Sequence, residues 1–317
     1  MFLERKESIP ILKERGIHLR LGGEDRSIAR PEIAENLESA LATGRFDCVV
    51  FAIKAYDIPA VLKDLEKYRD FLPIFLCLQN GVENEAVLSQ VLGEGRVIAG
   101  TVTSAIGRGG PGDIILERFR GMAVAGTNPF IPDLANALQA AGLNVKVYKD
   151  PASLKWSKMV TNLVGNASSA ILNMTLAEIF ADPRLFRLEI AQLREALQVM
   201  QAMGIPVVDL PGAPIRLLAW SVRYLPYSLA HLLLTRFLVG SRGAKMPSFH
   251  IDLHAGRGKS EVDYLNGAVV RFGANVGVPT PVNRVLNETL LSLTEGSIDI
   301  DSCDHHPEKL LELVNRG

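Results

Sequence analysis

The sequence predicts an α/β fold, a doubly wound parallel sheet followed by an all-α domain, on three observations. Short, near-continuous apolar runs fill its first half, helix-like segments alternate with them, and the second half carries long helical periodicity instead. The texture changes at Asp150 and Pro151, which sets the expected domains at 1–150 and 151–317.

In the first half, Asp47 to Ile53, Ile74 to Leu78 and Val97 to Val102 lack polar alternation, as strands buried on both faces should. Ile58 to Tyr68 and Glu83 to Leu92 supply the helices that parallel βαβ units need. Asp113 to Leu116 and Met122 to Ala125 read as a closing hairpin or meander, and Gly107 to Gly112 as a hairpin loop. In the second half, Ala152 to Leu172, Leu185 to Met203, the region of Leu217, Glu261 to Asn275 and Asn283 to Leu293 read as helices. Pro206, Pro211 and Pro214 punctuate the middle. With no internal repeat, low-complexity tract or flexible linker, the two halves should pack directly, and their crevice is the natural ligand site.

Composition narrows the function. The 317 residues are 48% hydrophobic and 22% charged, with a formal net charge of -1. No basic block or basic-aromatic interleaving exists to meet a phosphate backbone, so nucleic acid is excluded as a partner and a small molecule is expected. Met1-Phe-Leu runs straight into Glu4, Arg5 and Lys6 rather than an apolar signal region. Cys48, Cys77 and Cys303 lack metal-ligand spacing, so no metal site is expected, and they read as buried thiols in a reducing cytoplasm. The apolar stretch near Leu217 to Val239 is interrupted by Arg223, Pro226, His231 and Arg236, with Arg216 just before it. It is a poor membrane span and reads as a helical lid or an interface, so no membrane partner is expected.

The most informative stretch is Trp156 to Asn166. Read as one helix, it carries Lys158, Asn162 and Asn166 at successive i, i+4 positions, one ammonium and two carboxamides on a single face. Such a stripe suits a small, oxygen-rich ligand, whereas a solvated face would favour Glu, Lys, Arg and Gln over the weak helix former Asn.

Three further places converge on the crevice. Lys54 follows an apolar strand, at the carboxyl end where open α/β sheets bind ligands; a solvated turn lysine is the alternative. Asn80-Gly81 links a strand to a helix, and Asn80 is either a turn former or a donor and acceptor aimed at something held there. Ser248 precedes a polar cluster, Ser260-Glu261-Val-Asp263-Tyr-Leu-Asn266-Gly267, that enters an apolar helix. There Glu261 can also complement the helix dipole and Ser260 can cap it.

Together these four places resemble the ketopantoate reductase family, whose motifs are a Lys after the third strand, an Asn-Gly after the fourth, a Lys-x3-Asn-x3-Asn helix and a Ser…Glu-x-Asp-x-x-Asn-Gly segment. Here they stand as Lys54, Asn80-Gly81, Lys158/Asn162/Asn166 and Ser248…Glu261 to Gly267. The resemblance runs from Arg5 to Thr280-Pro-Val-Asn283. It implies a Rossmann-type NADP domain, an α-helical domain of the 6-phosphogluconate dehydrogenase C-terminal-like type, and NADPH-dependent reduction of a 2-oxo acid, 2-dehydropantoate or a relative, to the 2-hydroxy acid. By that resemblance Lys158 is the proton donor and Glu261 holds Lys158 or a substrate hydroxyl. Asn162, Asn166 and Ser248 position the substrate, and Lys54 and Asn80 face the nicotinamide end.

The chain departs from the family at its start, where Met1-Phe-Leu resembles the end of the second strand and no Gly-x-Gly-x-x-Gly turn precedes it. A truncated gene product, a late start codon or a lost pyrophosphate site would each produce this, and an incomplete reading frame is the expectation. Gly107 to Gly112 is no substitute, because a strand-like run follows it rather than a helix. Arg5, with Lys6 beside it, is the expected 2′-phosphate contact, although Glu4 in another register would favour NAD. The apolar, arginine-studded segment from Pro211 to Met246 suggests a bulkier 2-oxo acid. The competing readings are a related hydroxyacid or glycerol-phosphate dehydrogenase, or a non-catalytic remnant that binds a partner. The apolar helices of the second half suggest a homodimer.

Overall fold

The structure, a computed structural model, describes residues 1–239 and 246–316. Positions 240–245 of the arginine-studded segment therefore lie outside the described residues. The chain opens with β1 (Phe2–Leu3), α1 (Ile9–Arg15), β2 (Ile17–Arg20), β3 (Asp25–Ile28), β4 (Ile33–Ala34) and α2 (Leu37–Ala42). The alternation read from the sequence then follows: β5 (Cys48–Phe51), α3 (Ile58–Lys67), β6 (Ile74–Cys77), α4 (Asn84–Leu92) and β7 (Val97–Val102). These three strands are parallel, in the register Cys48 to Ile74 and Phe75 to Val97. Phe75, Leu76 and Cys77 are buried, as their unbroken apolar run requires.

Past β7 the expectation needs correction. β8 (Ala105–Gly110) and β9 (Asp113–Arg118) form an antiparallel pair that joins β2 and β3 in a separate four-stranded sheet. β10 (Met122–Ala125) returns to the main sheet, antiparallel to β7, and after α5 (Ile131–Ala140) β11 (Val145–Tyr148) closes that sheet in the order β11-β10-β7-β6-β5. Asp113 to Leu116 and Met122 to Ala125 are thus not partners of one another. The amides of Thr103 and Ser104 donate to the Gly121 carbonyl, fixing the point where the chain passes from one sheet to the other. The glycine run supplies β8 and the turn into β9. At the other side β5 ends the five-stranded sheet with Val50 56% exposed, while β1 pairs only with β4.

After Asp150, whose carboxylate caps the first turn, every regular element is helical among the described residues. These are α6 (Pro151–Leu163), α7 (Asn166–Leu172), α8 (Leu176–Ala181), α9 (Pro183–Ala202), α10 (Ile215–Tyr224), α11 (Tyr227–Leu234), α12 (Ser248–His254), α13 (Ala268–Val276), α14 (Pro281–Thr294) and α15 (Pro307–Arg316). A π-helical turn, Asp263–Gly267, leads into α13. The largest core cluster is here, around Met159, Leu163, Ile190, Leu193, Leu265 and Leu286. α9 runs through its middle and carries buried Glu189, Gln192 and Glu195.

Those polar groups are satisfied by the ends of neighbouring helices. Glu195 accepts from the amides of Val282 and Asn283, capping α14, and burial still pushes its carboxyl pKa up against those bonds. Glu189 accepts from the Gly165 amide at 2.7 Å. That bond falls where the sequence reading fails: the helix expected from Ala152 to Leu172 is two helices, α6 and α7. Gly165 stands between them at φ +61, and a Cβ there would lie 2.3 Å from Leu176 Cδ1. The three-residue stripe therefore does not occupy one continuous helix.

Candidate active site

Lys158 and Asn162 sit one turn apart on the last two turns of α6, both partly buried. The Asn162 amide donates to Asn80 Oδ1 at 2.9 Å. This bond joins the helix to the carboxyl end of β6, and it orients both carboxamides. Gly81, at φ +99, packs so closely on the Tyr264 backbone that a Cβ would stand 2.9 Å from its carbonyl oxygen, so the Asn-Gly pair is a requirement of approach as well as of turning. Asn84 reaches back to the Asn80 carbonyl at 2.7 Å and holds the turn.

Asn166 opens α7, on the far side of the break. It is 6% exposed, and its Oδ1 accepts from the Phe249 amide at 3.1 Å, in the first turn of α12. Its amide lies 3.4 Å from Ser248 Oγ. The break thus turns Asn166 from a third member of the stripe into the anchor of Ser248.

Lys54 follows β5 as expected, but its partners were not legible. Its ammonium lies 2.7 Å from Asp252 and 2.8 Å from Glu261. Glu261 also accepts from the Ala55 amide at 3.3 Å, and Arg257 closes the cluster on the other Asp252 oxygen at 3.0 Å. Two cations balance two carboxylates, which is what allows Asp252 and Glu261 to be buried. Burial pulls the Lys54 pKa down, but Glu261 and Asp252 more than reverse it, and the net displacement is upward. Ser260 Oγ accepts from the Val262 amide at 3.2 Å, just ahead of the helical segment.

The sequence reading missed Lys155. It is 4% exposed and donates to the carbonyls of Gln79 at 2.5 Å and Gly100 at 3.3 Å, with Glu85 at 2.8 Å. Lys155 thereby joins α6 to the ends of β6 and β7. Its one available signal was its place three residues before Lys158, inside an otherwise buried turn. Arg271 was also missed; it bridges Glu83 at 2.5 Å and Asp263 at 2.9 Å. Asp252 lies one turn after Ser248 on α12, a spacing that could have flagged it.

Arg5 pairs with the end of the turn that follows Lys54 rather than with the groups above. Its guanidinium pairs with Asp57 at 3.0 Å with 74% of its side chain exposed, and Lys259 reaches the same carboxylate at 3.2 Å. No cluster of potential metal ligands occurs among the described residues.

An ammonium and a cross-braced pair of carboxamides at the ends of parallel strands suit a carbonyl compound with a carboxylate or hydroxyl beside it. The comparisons with known proteins agree with that geometry. The family model for ketopantoate reductase PanE/ApbA matches residues 1–128, and the model for its C-terminal part matches residues 151–293. The chain belongs to the ketopantoate reductase family. It is 28% identical over 253 residues to a 2-dehydropantoate 2-reductase of Streptococcus pyogenes, spanning 78% of this chain and 76% of the relative. It is 27% identical over 237 residues to one from Pyrobaculum aerophilum, spanning 75% and 73%. Among solved structures, a PanE/ApbA family ketopantoate reductase from Ralstonia eutropha superposes with a TM-score of 0.75 at 24% identity, over 92% of this chain and 89% of that one. A D-mandelate dehydrogenase bound to NADH and anilino(oxo)acetate gives 0.71 at 22% identity, over 92% and 88%. At those identities the two structures establish the shared fold.

Proposed function

We propose that this chain reduces a 2-oxo acid to a 2-hydroxy acid with NADPH, with 2-dehydropantoate as the first substrate to test, in domains that meet near residue 150. The observation that carries the reading is the Asn162–Asn80 bond, which brings the Lys158 helix to the carboxyl end of the parallel sheet. The relatives' printed activity supports it.

A bound nicotinamide would supply the hydride for the keto carbon. Lys158 donates a hydrogen bond to the keto oxygen, polarises it, and gives the resulting alkoxide its proton. Asn162 orients the substrate with Asn80 behind it, and Asn166 sets Ser248 for a substrate oxygen. Glu261, with both oxygens engaged, is read as positioning Lys54 through its ion pair, a narrower role than holding Lys158 or a substrate hydroxyl. Asn80 and Lys54 stand where the nicotinamide end would lie. The residues present fit that end better than the pyrophosphate end, because the glycine run 107–112 forms a strand and turn rather than a helix N-terminus. Arg5 is the residue proposed for the 2′-phosphate.

Loss of reduced-nicotinamide absorbance with 2-dehydropantoate and bulkier 2-oxo acids, run with NADPH and with NADH, tests the reading. NADPH-linked turnover of one of them supports it. No turnover with either cofactor, with neither cofactor binding by calorimetry, rejects it in favour of a non-catalytic protein.

A further inference from the structure

The surface of α10 and α11 carries none of the residues placed in that site. Of the large hydrophobic side chains exposed among the described residues, seven lie between Leu217 and Leu233. Leu217, Trp220 and Tyr224 form one stripe of α10, while Leu229, Leu232 and Leu233 face outward on α11. The opposite faces are already committed to the core, through Ile215, Leu218 and Val222 on α10 and Ala230 and Leu234 on α11. The exposed set is therefore surplus to folding.

The charged side chains on its own stretch of chain have one sign, and Asp209, just before it, is spent on the Arg216 amide at 2.8 Å. From Leu210 to Ile251 the sequence contains no Asp or Glu, but it contains Arg216, Arg223, Arg236, Arg242 and Lys245, the last two outside the described residues. Arg194 and Arg187 approach the Tyr227 ring at 4.7 and 5.8 Å. Arg216 and Arg223 are steadied by the carbonyls of Val207 at 3.2 Å and Leu197 at 2.9 Å. With Trp220 and Tyr224 they line a groove of about 420 Å³.

We propose that the α10–α11 face is a peripheral docking surface for an anionic phospholipid bilayer. Trp220 and the leucines enter the headgroup–acyl boundary while the arginines meet lipid phosphates. Charge separates this occupant from a second copy of the chain. A two-fold pairing sets the patch against itself, arginine toward arginine, and the segment has no carboxylate to receive them. The sequence expectation of no membrane partner rested on the lack of a span. No helix among the described residues is long and apolar enough to cross a membrane, and the contact proposed here lies on the surface.

The protein carries its own reporter, because Trp156 is 2% exposed and Trp220 50% exposed. The experiment is flotation with phosphatidylglycerol or phosphatidylcholine vesicles, read together with tryptophan emission and quenching by brominated acyl chains. Binding should be at least about tenfold stronger to phosphatidylglycerol, weaken with added salt, and shift and quench Trp220. L232S/L233S should lose about tenfold or more of that binding and keep its catalytic turnover. L217S/L229S provides the same comparison if the first pair misfolds. Absent flotation with phosphatidylglycerol, or equal binding to both lipids, overturns the proposal. So does a dimer by light scattering in which Trp220 is shielded from a soluble quencher before any lipid is added.

Discussion

Lys54 and Glu261 are 207 positions apart in the chain and 2.8 Å apart in space. With Asp252 they tie the turn after β5 to α12 and to the segment that follows it. Lys54→Met removes the central cation and leaves two carboxylates, each with 5% side-chain exposure, facing one another. Breaking a buried pair in this way costs about 3–5 kcal/mol, so chemical denaturation should show a large loss, and Lys54→Arg should restore part of it. Wild-type stability in Lys54→Met would mean that water screens those carboxylates.

The same cluster fixes a pH dependence. The folded protein holds the Lys54 proton more tightly than the unfolded chain does, because Glu261 and Asp252 outweigh burial. That contribution is full below the unfolded lysine value of about 10.4 and is lost as pH rises through the higher folded value. The stability difference between wild type and Lys54→Met should therefore stay level from neutral pH to about pH 10 and shrink only above it. A difference that shrank between about pH 6 and 8 would assign the linkage to another group.

The Asn162–Asn80 bond makes a separate prediction about catalysis. If it orients Asn162 toward substrate, Asn162→Ala and Asn80→Ala should each raise KM, and the double variant should be less impaired than the product of the two single effects. A coupling of about 0.5–3 kcal/mol is expected from kcat/KM in the double-mutant cycle. Strict additivity would make the bond incidental to binding.

How far the sequence could be read depended on the kind of signal. β5, β6 and β7 were legible because strands buried on both faces have no choice but to be apolar along their length. β9 and β10 were legible as strands but their pairing was not, since the Thr103–Gly121 contacts that send them to different sheets are long-range and leave no periodic trace. Lys54 and Asn80 were singled out by their places at element ends, and Lys158 by its i, i+4 spacing from Asn162. Asp252, the partner of Lys54, and Lys155, the partner of Glu85, were not, because they look like ordinary helix charges until the fold buries them. The unbroken helix through Asn166 was the most consequential misreading. An isolated glycine in a helical pattern is usually tolerated, and only the Glu189 carboxylate and the Leu176 side chain make this one a break.

That break is testable. Gly165→Ala puts a Cβ on a φ of +61 and 2.3 Å from Leu176 Cδ1, so both the backbone and the packing resist it. A loss of about 1–3 kcal/mol or more is expected from the backbone conformation alone, with KM rising as Asn166 and Ser248 shift. An Ala variant as stable as wild type would show that α6 can continue into α7, restoring the one-face stripe.

Two lysines on α6 separate chemistry from architecture. Lys158 is partly buried beside the Asn162 turn, whereas Lys155 is 4% exposed and spends its donors on Gln79, Gly100 and Glu85. Lys158→Ala should retain the thermal transition and lose about 10²–10⁴ in kcat/KM, the range for removing a general acid. Lys155→Met should do the reverse. It strands the Glu85 carboxylate and two carbonyls, lowering stability by about 3–5 kcal/mol, while turnover per folded molecule stays within a few-fold. Unfolding and activity measured on the same preparations distinguish the two. If Lys155→Met were stable and inactive while Lys158→Ala turned over normally, the proton donor would be Lys155, and the buried lysine at the strand ends would take over the chemistry assigned to its neighbour.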